Sequence, residues 1–222
     1  MPSLALSILH SLGQEEGAEH LEVGGGIALW HYTPHRSTND IDAWWLQENS
    51  DSRAAIQRTM EKVSAENGLD LSSRSQAGCT SWDLKKAGKV VFAFQVAPKT
   101  ARVEPPGPAR WGRLRMETLA ENLSNKMNAL VQRGAPRDIV DVATVLRLGL
   151  FTADELWTLW QRKRPELSVA LGQANILKYL NALESRRPLE SIADLQERRS
   201  AEQNRATIRG LATFKVDDDA RL

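Results

Sequence analysis

The run Val23 to Trp45, VGGGIALWHYTPHRSTNDIDAWW, decides how this chain is read. Just ahead of it, Leu21 and Val23 alternate with His20 and Glu22 at the two-residue period of a half-buried strand, which puts Glu22 on the face opposite the two apolar residues. Gly24, Gly25 and Gly26 follow. Without a Cβ the backbone there is free to take positive φ and to approach a phosphate closely. Ile27 to Tyr32 reads as a short helix. Asp40 to Trp45 then gives a second strand, with Asp40 and Asp42 on one face and Ile41 and Ala43 on the other. Two carboxylates side by side repel each other unless a cation holds them, and an all-oxygen pair suits Mg²⁺ or Mn²⁺. A plainer reading stands beside this one: solvent-facing aspartates on an edge strand, and glycines that only make a hairpin turn.

The rest of the chain is ordinary in composition. It has 222 residues, 41% hydrophobic and 26% charged, with a net charge of +1, so wholesale disorder and a fibrous fold are excluded and any nucleic-acid contact must come from local basic patches. A single cysteine, Cys79, excludes an internal disulfide framework and a multi-cysteine zinc site. The first thirteen residues lack the basic start of a signal peptide, and no run of eighteen apolar residues occurs, so a cytoplasmic protein without a membrane span is expected.

Leu4, Ile8, Leu9 and Leu12 mark an opening amphipathic helix that stops at Gly13, and Ile56, Met60 and Val63 mark another that stops at Asn67-Gly68. Strand patterns follow at Leu69 to Arg74, Cys79 to Leu84 and Lys89 to Ala97. The prolines at 98, 105, 106 and 108 interrupt regular structure, and the domain boundary is drawn there. From about Leu114 the pattern is wholly helical. A helix runs to Gly134, a second starts at Pro136, a third opens with the capping box from Thr152 to Glu155, a fourth carries Ile176 to Leu183, and a charged helix follows Pro188. Residues Asp217 to Leu222 are expected to fray. The fold class is therefore α+β, with a small mixed sheet flanked by helices over 1–108 and a helical bundle over 109–222.

Within the first long helix, Lys126 falls among Leu119, Leu123 and Leu130 on the apolar stripe. It either snorkels, its stem packed and its ammonium in water, or binds phosphate. On the phosphate reading Lys126→Met lowers activity while stability holds or rises, and on the snorkelling reading both activity and stability hold. Asp138 and Asp141 lie in the segment Arg137-Asp138-Ile139-Val140-Asp141, where acidic residues near a helix start complement its dipole and Arg137 with Asp141 makes an i, i+4 pair. The basic clusters at Arg110 to Arg115, Arg162 to Arg164 and Arg186-Arg187 are solvated faces or phosphate contacts, and Trp157 or Trp111 is a candidate stacking surface for RNA bases.

Gly25-Gly26, thirteen intervening residues and then Asp40-Ile41-Asp42 resembles the signature of the nucleotidyltransferase superfamily that includes DNA polymerase β, with the spacing at its long end. Arg36-Ser37-Thr38-Asn39-Asp40-Ile41-Asp42 is similar, more particularly, to the AbiEii/AbiGii toxin family, which reads R-x-T-x-D-I-D here and carries a later lysine followed by R/K-D-x-x-D. The resemblance implies an enzyme that moves a nucleoside monophosphate from an NTP to an acceptor hydroxyl. By the same resemblance Asp40 and Asp42 hold Mg²⁺, Gly25, Gly26 and Thr38 bind the nucleotide, Lys126 acts on the phosphates, and Asp141 rather than Asp138 joins the site. It also implies tRNA as acceptor, an antitoxin partner, and a helical half that completes the active site. One departure stands out: many superfamily members carry a third carboxylate on a later strand, and the best candidate strand here offers Gln95. Asp70 and Asp83 are further candidates, read as surface residues. A catalytically silent binding module and a kinase on the same fold are the alternatives.

Overall fold

The computed structural model describes residues 1–99 and 101–215, so the tail expected to fray lies outside the described residues. Eight helices and seven strands are described. The strands are β1 (Leu21–Val23), β2 (Asp40–Trp45), β3 (Asp70–Gln76), β4 (Cys79–Lys86), β5 (Lys89–Pro98), β6 (Gly107–Pro108) and β7 (Arg115–Met116). The helices are α1 (Ser3–Leu12), α2 (Gly25–Tyr32), α3 (Ser50–Asn67), α4 (Leu119–Arg133), α5 (Pro136–Arg147), α6 (Ala153–Lys163), α7 (Val169–Arg186) and α8 (Leu195–Ala212).

All seven strands form one mixed sheet in the order β3-β4-β5-β2-β1-β7-β6, parallel at β2 with β5 and at β1 with β7 and antiparallel elsewhere. Its apolar face carries Leu21, Val23, Ile41, Ala43, Trp45, Trp82, Leu84, Phe94 and Val96, packed in one core with Ile8, Leu9 and Leu12 of α1 and Ile56, Met60 and Val63 of α3. The helix stops read from sequence hold. Gly13 ends α1, and Gly68 takes the left-handed conformation that lets α3 end in a turn.

Backbone contacts divide the chain into units 1–122 and 123–222, with the division in the first turn of α4. The boundary read from the prolines lies earlier, because residues after them return to the sheet: Arg115 and Met116 pair with Glu22 and Val23. For the same reason the helix expected from Leu114 starts only at Leu119, where the Thr118 hydroxyl accepts the Glu121 backbone N–H. The second unit is helical. Thr152 and Glu155 make the predicted capping box, and Pro136 occupies the first turn of α5.

Candidate active site

β1 ends at Val23 and α2 begins at Gly25, so the chain turns within the glycines. The Gly24 N–H donates to the Asp42 carbonyl at 2.8 Å, which fixes the turn against the middle of β2. Gly25 takes φ of 59°, in the left-handed region. A Cβ on Gly25 would lie 2.1 Å from Asp42 Oδ2, one on Gly24 would lie 2.6 Å from Trp44 Nε1, and one on Gly26 would lie 3.1 Å from Thr38 Oγ1. The missing side chains are thus the space that Asp42, Trp44 and Thr38 occupy. The first turn of α2 has no side-chain cap, and its backbone N–H groups are the positive end of the helix.

Asp40 and Asp42 share the face predicted for them, half-buried, while Ile41 and Ala43 are buried on the other. β2 is an interior strand with β5 on one side and β1 on the other, so the edge-strand reading of the acidic pair is overturned, and the glycines lead into a helix instead of a hairpin. Thr38 is buried and its hydroxyl donates to Asp40 Oδ1, which orients that carboxylate. Gly25, Gly26, Thr38, Asp40 and Asp42 are therefore brought together within the first unit.

This donor set fits Mg²⁺. The ion commonly takes one or two protein carboxylates and fills its shell with substrate phosphate and water, and the acidic pair offers carboxylate oxygens beside the uncapped start of α2. Among the described residues no group of three or more His, Cys, Asp or Glu could hold a metal by itself. The position beside Asp42 on β5 is Gln95, in direct register.

The same face continues outward from β5. Asp42 is followed across the ladder by Gln95, Ser81 and Arg74, and Asp40 by Ala93 and Asp83. Asp83, read from sequence as a surface residue, is 5% exposed, accepts the Ser81 hydroxyl at 2.6 Å and lies 3.6 Å from the Arg74 guanidinium. Asp70, on the outer strand, is exposed as expected.

Sequence reasoning missed a second acidic cluster on this face. Glu22 pairs in register with Trp44 and is wholly buried, not turned to water, because its strand lies inside the sheet and the segment around Lys99 and Arg102 covers it. Lys99 Nζ lies 2.8 Å from Glu22, 3.0 Å from Glu117 and 2.9 Å from Glu121, all three fully buried, and Arg102 pairs with Glu22 as well. Burial alone would lower the Lys99 pKa, but the surrounding carboxylates, led by Glu117, more than offset it and raise the ammonium above its ordinary value. Glu117 also accepts the Trp44 indole N–H at 2.7 Å and the Asn122 amide at 2.6 Å, and the same amide donates to the Gly25 carbonyl at 3.0 Å. A polar chain therefore runs from the buried cluster to the glycine turn. A signal was available in the four-residue spacing of Glu117 and Glu121, which poses the same like-charge problem as Asp40 and Asp42.

In the second unit Lys126 is 8% exposed and its ammonium lies 2.8 Å from Asp141, which is fully buried. The two residues singled out there are thus joined, and the freely snorkelling lysine is excluded. Asp138 accepts from Nε and Nη2 of the Arg133 guanidinium at 2.8 and 3.2 Å, a structural pairing. Trp157 and Trp111 are buried, at 0% and 1%, so neither is a stacking surface; Trp157 packs edge-on to Trp160 and donates to the Leu211 carbonyl. They serve as core because a buried indole contributes much apolar area. No described helix is long and apolar enough to cross a membrane.

Comparison with known proteins bears on the family and the fold. The sequence model of one family, described as the nucleotidyl transferase AbiEii toxin of a Type IV toxin–antitoxin system, matches residues 7–215. Among solved structures the chain is similar in fold to an H. pylori protein provisionally described as a nucleotidyltransferase. The two share 15% identity and a TM-score of 0.56 over 94% of this chain and 92% of that one. No curated protein matches the chain.

Proposed function

The chain belongs to the AbiEii family of nucleotidyltransferase toxins, and from that premise we propose that it transfers a nucleoside monophosphate from an NTP to the hydroxyl of an RNA acceptor, tRNA being the favoured one, with Asp40 and Asp42 holding Mg²⁺ or Mn²⁺. The observation that carries the reading is the seating of the glycine turn against Asp42, where a Cβ on Gly25 would lie 2.1 Å from the carboxylate. That contact brings the uncapped start of α2 against the acidic pair, which supports a triphosphate lying across both.

Each residue then has a role. The N–H groups of the first turn of α2 hold the phosphates, and Thr38 keeps Asp40 turned toward the reacting group. A divalent cation, when bound, neutralises phosphate oxygens and makes the attacking hydroxyl more acidic. The hydroxyl oxygen bonds to the α-phosphorus as the bond from that phosphorus to the bridging oxygen breaks; pyrophosphate leaves toward the glycine turn and the hydroxyl proton goes to solvent. The family resemblance assigns Lys126 to the charge growing on the phosphates, and Asp141, 2.8 Å from its ammonium, to its orientation. In the setting of a Type IV system the partner is an antitoxin protein, and the site of action is the cytoplasm.

The test supplies α-labelled and γ-labelled NTPs with total cellular RNA and protein. Magnesium-dependent label from the α position, with pyrophosphate released, is expected in the RNA. Label from the γ position alone would make the protein a kinase. Gln95, a neutral amide where a third carboxylate could stand, favours one other reading, a silent nucleotide-binding module. That reading requires no label from either position.

A further inference from the structure

In-line displacement sets the direction from which the acceptor must come. The leaving pyrophosphate and the attacking hydroxyl lie on opposite sides of the α-phosphorus. The glycine turn stands on the β1 side of Asp40 and Asp42, so the hydroxyl has to enter from the β5 side. On that side, on the same face of the sheet, the structure has a cavity of about 300 Å³ lined by Arg74, Gln76, Ala77, Cys79, Ser81 and Gln95. Gln95 is in register with Asp42, and Ser81 and Arg74 continue the row, so the cavity begins one strand away from the acidic pair. With strands spaced by about 4.8 Å, Arg74 is about 14 Å from Asp42 along the row.

We propose that this cavity binds the terminal nucleotide of a single-stranded RNA acceptor, an inference that rests on the nucleotidyl-transfer reading. Its chemistry matches such an end. The Arg74 side chain is 71% exposed at the outer end, where a guanidinium meets a phosphate. Gln95 and Gln76 offer amide donors and acceptors, and Ser81 a hydroxyl, for a base edge and for the 2′-hydroxyl that distinguishes RNA. The volume is at the small end for ligand pockets and holds about one nucleotide. Gln95 then has a purpose that a carboxylate would serve less well, since a neutral amide next to Asp42 contacts the terminal ribose without adding repulsion to an incoming polyanion. In the step, a terminal ribose hydroxyl oxygen bonds to the α-phosphorus, the bond to the pyrophosphate oxygen breaks, and the proton goes to solvent.

The experiment uses the full chain, α-labelled NTP, magnesium and total cellular RNA at several salt concentrations, with wild type, Arg74→Gln and Arg74→Lys. Arg74→Gln is expected to raise the acceptor KM about tenfold and to lower the slope of log KM against log salt by about one phosphate contact, with the NTP KM unchanged. Arg74→Lys keeps the charge and should keep the slope, which separates phosphate binding from loss of the Asp83 pairing. A wild type that labels nothing defeats the nucleotidyl reading and this inference with it. Labelling of RNA by wild type with an unaltered acceptor KM and salt slope in Arg74→Gln overturns this inference alone, and so does labelling of protein in place of RNA.

Discussion

One face of one sheet carries two acidic clusters that differ in burial. Glu22, Glu117 and Glu121 are fully buried, and the chain supplies their cations itself in Lys99 and Arg102. Asp40 and Asp42 are half-buried, set beside a helix start and a glycine turn. Trp44 stands between them, its indole N–H given to Glu117 while Asp42 lies two residues back on the same face. Burial explains the difference. Carboxylates sealed from water must be matched within the protein at a large desolvation cost, whereas half-open ones remain accessible to a cation brought with a substrate. The first cluster is thus a scaffold, and the second is the one proposed for chemistry.

Asp40→Asn should separate the two most sharply. It is expected to lower nucleotidyl transfer by about 10³-fold or more while moving the thermal midpoint by no more than a few degrees. Turnover near wild type with magnesium would break the comparison, because the half-open cluster would then be as inert as the buried one.

Lys99→Met is the converse. Removing the cation shared by three buried carboxylates should cost about 3–5 kcal/mol in urea unfolding, as breaking a buried ion pair typically does. An unfolding free energy equal to that of wild type would mean that the cluster does not need its lysine.

Lys126→Met tests a case between the two, since this buried lysine pairs with Asp141 and is also proposed to act on phosphate. Activity should fall by about 10²-fold. Stability should fall too, contrary to what the apolar stripe alone suggests, because Asp141 is left as a buried charge without its ammonium. Adding Asp141→Leu is expected to recover the thermal midpoint but not the turnover. Recovery of both would reduce the pair to scaffold.

The smallest effect concerns pH. The Lys99 pKa is raised in the folded protein, so its contribution is fully present below the unfolded lysine value of about 10.4 and is lost as pH rises through the folded value. The stability gap between wild type and Lys99→Met, measured by urea unfolding, should be constant from neutral pH to about pH 10 and narrow only above it. A gap that closes already between pH 7 and 9 would assign the stabilisation to groups other than Lys99.

The sequence by itself determined what depends on near neighbours. The alternation in Asp40 to Trp45 fixed which residues share a face, Gly13, Gly68 and the Thr152 box fixed helix ends, and Gly25 with Asp40 and Asp42 pointed to the chemistry. A period of two or of 3.6 residues is local and can be read along a single stretch. Only the tertiary structure decided that β2 is interior, that Glu22 is buried, that residues 115 and 116 return to the sheet and that Lys126 meets Asp141. Periodicity names the two faces of a strand but not what covers them, and pairing between distant segments is set by the whole core. The glutamates show this most directly: Glu22 and Glu117 are ninety-five residues apart, and only the sheet that joins β1 to β7 makes them neighbours around Lys99.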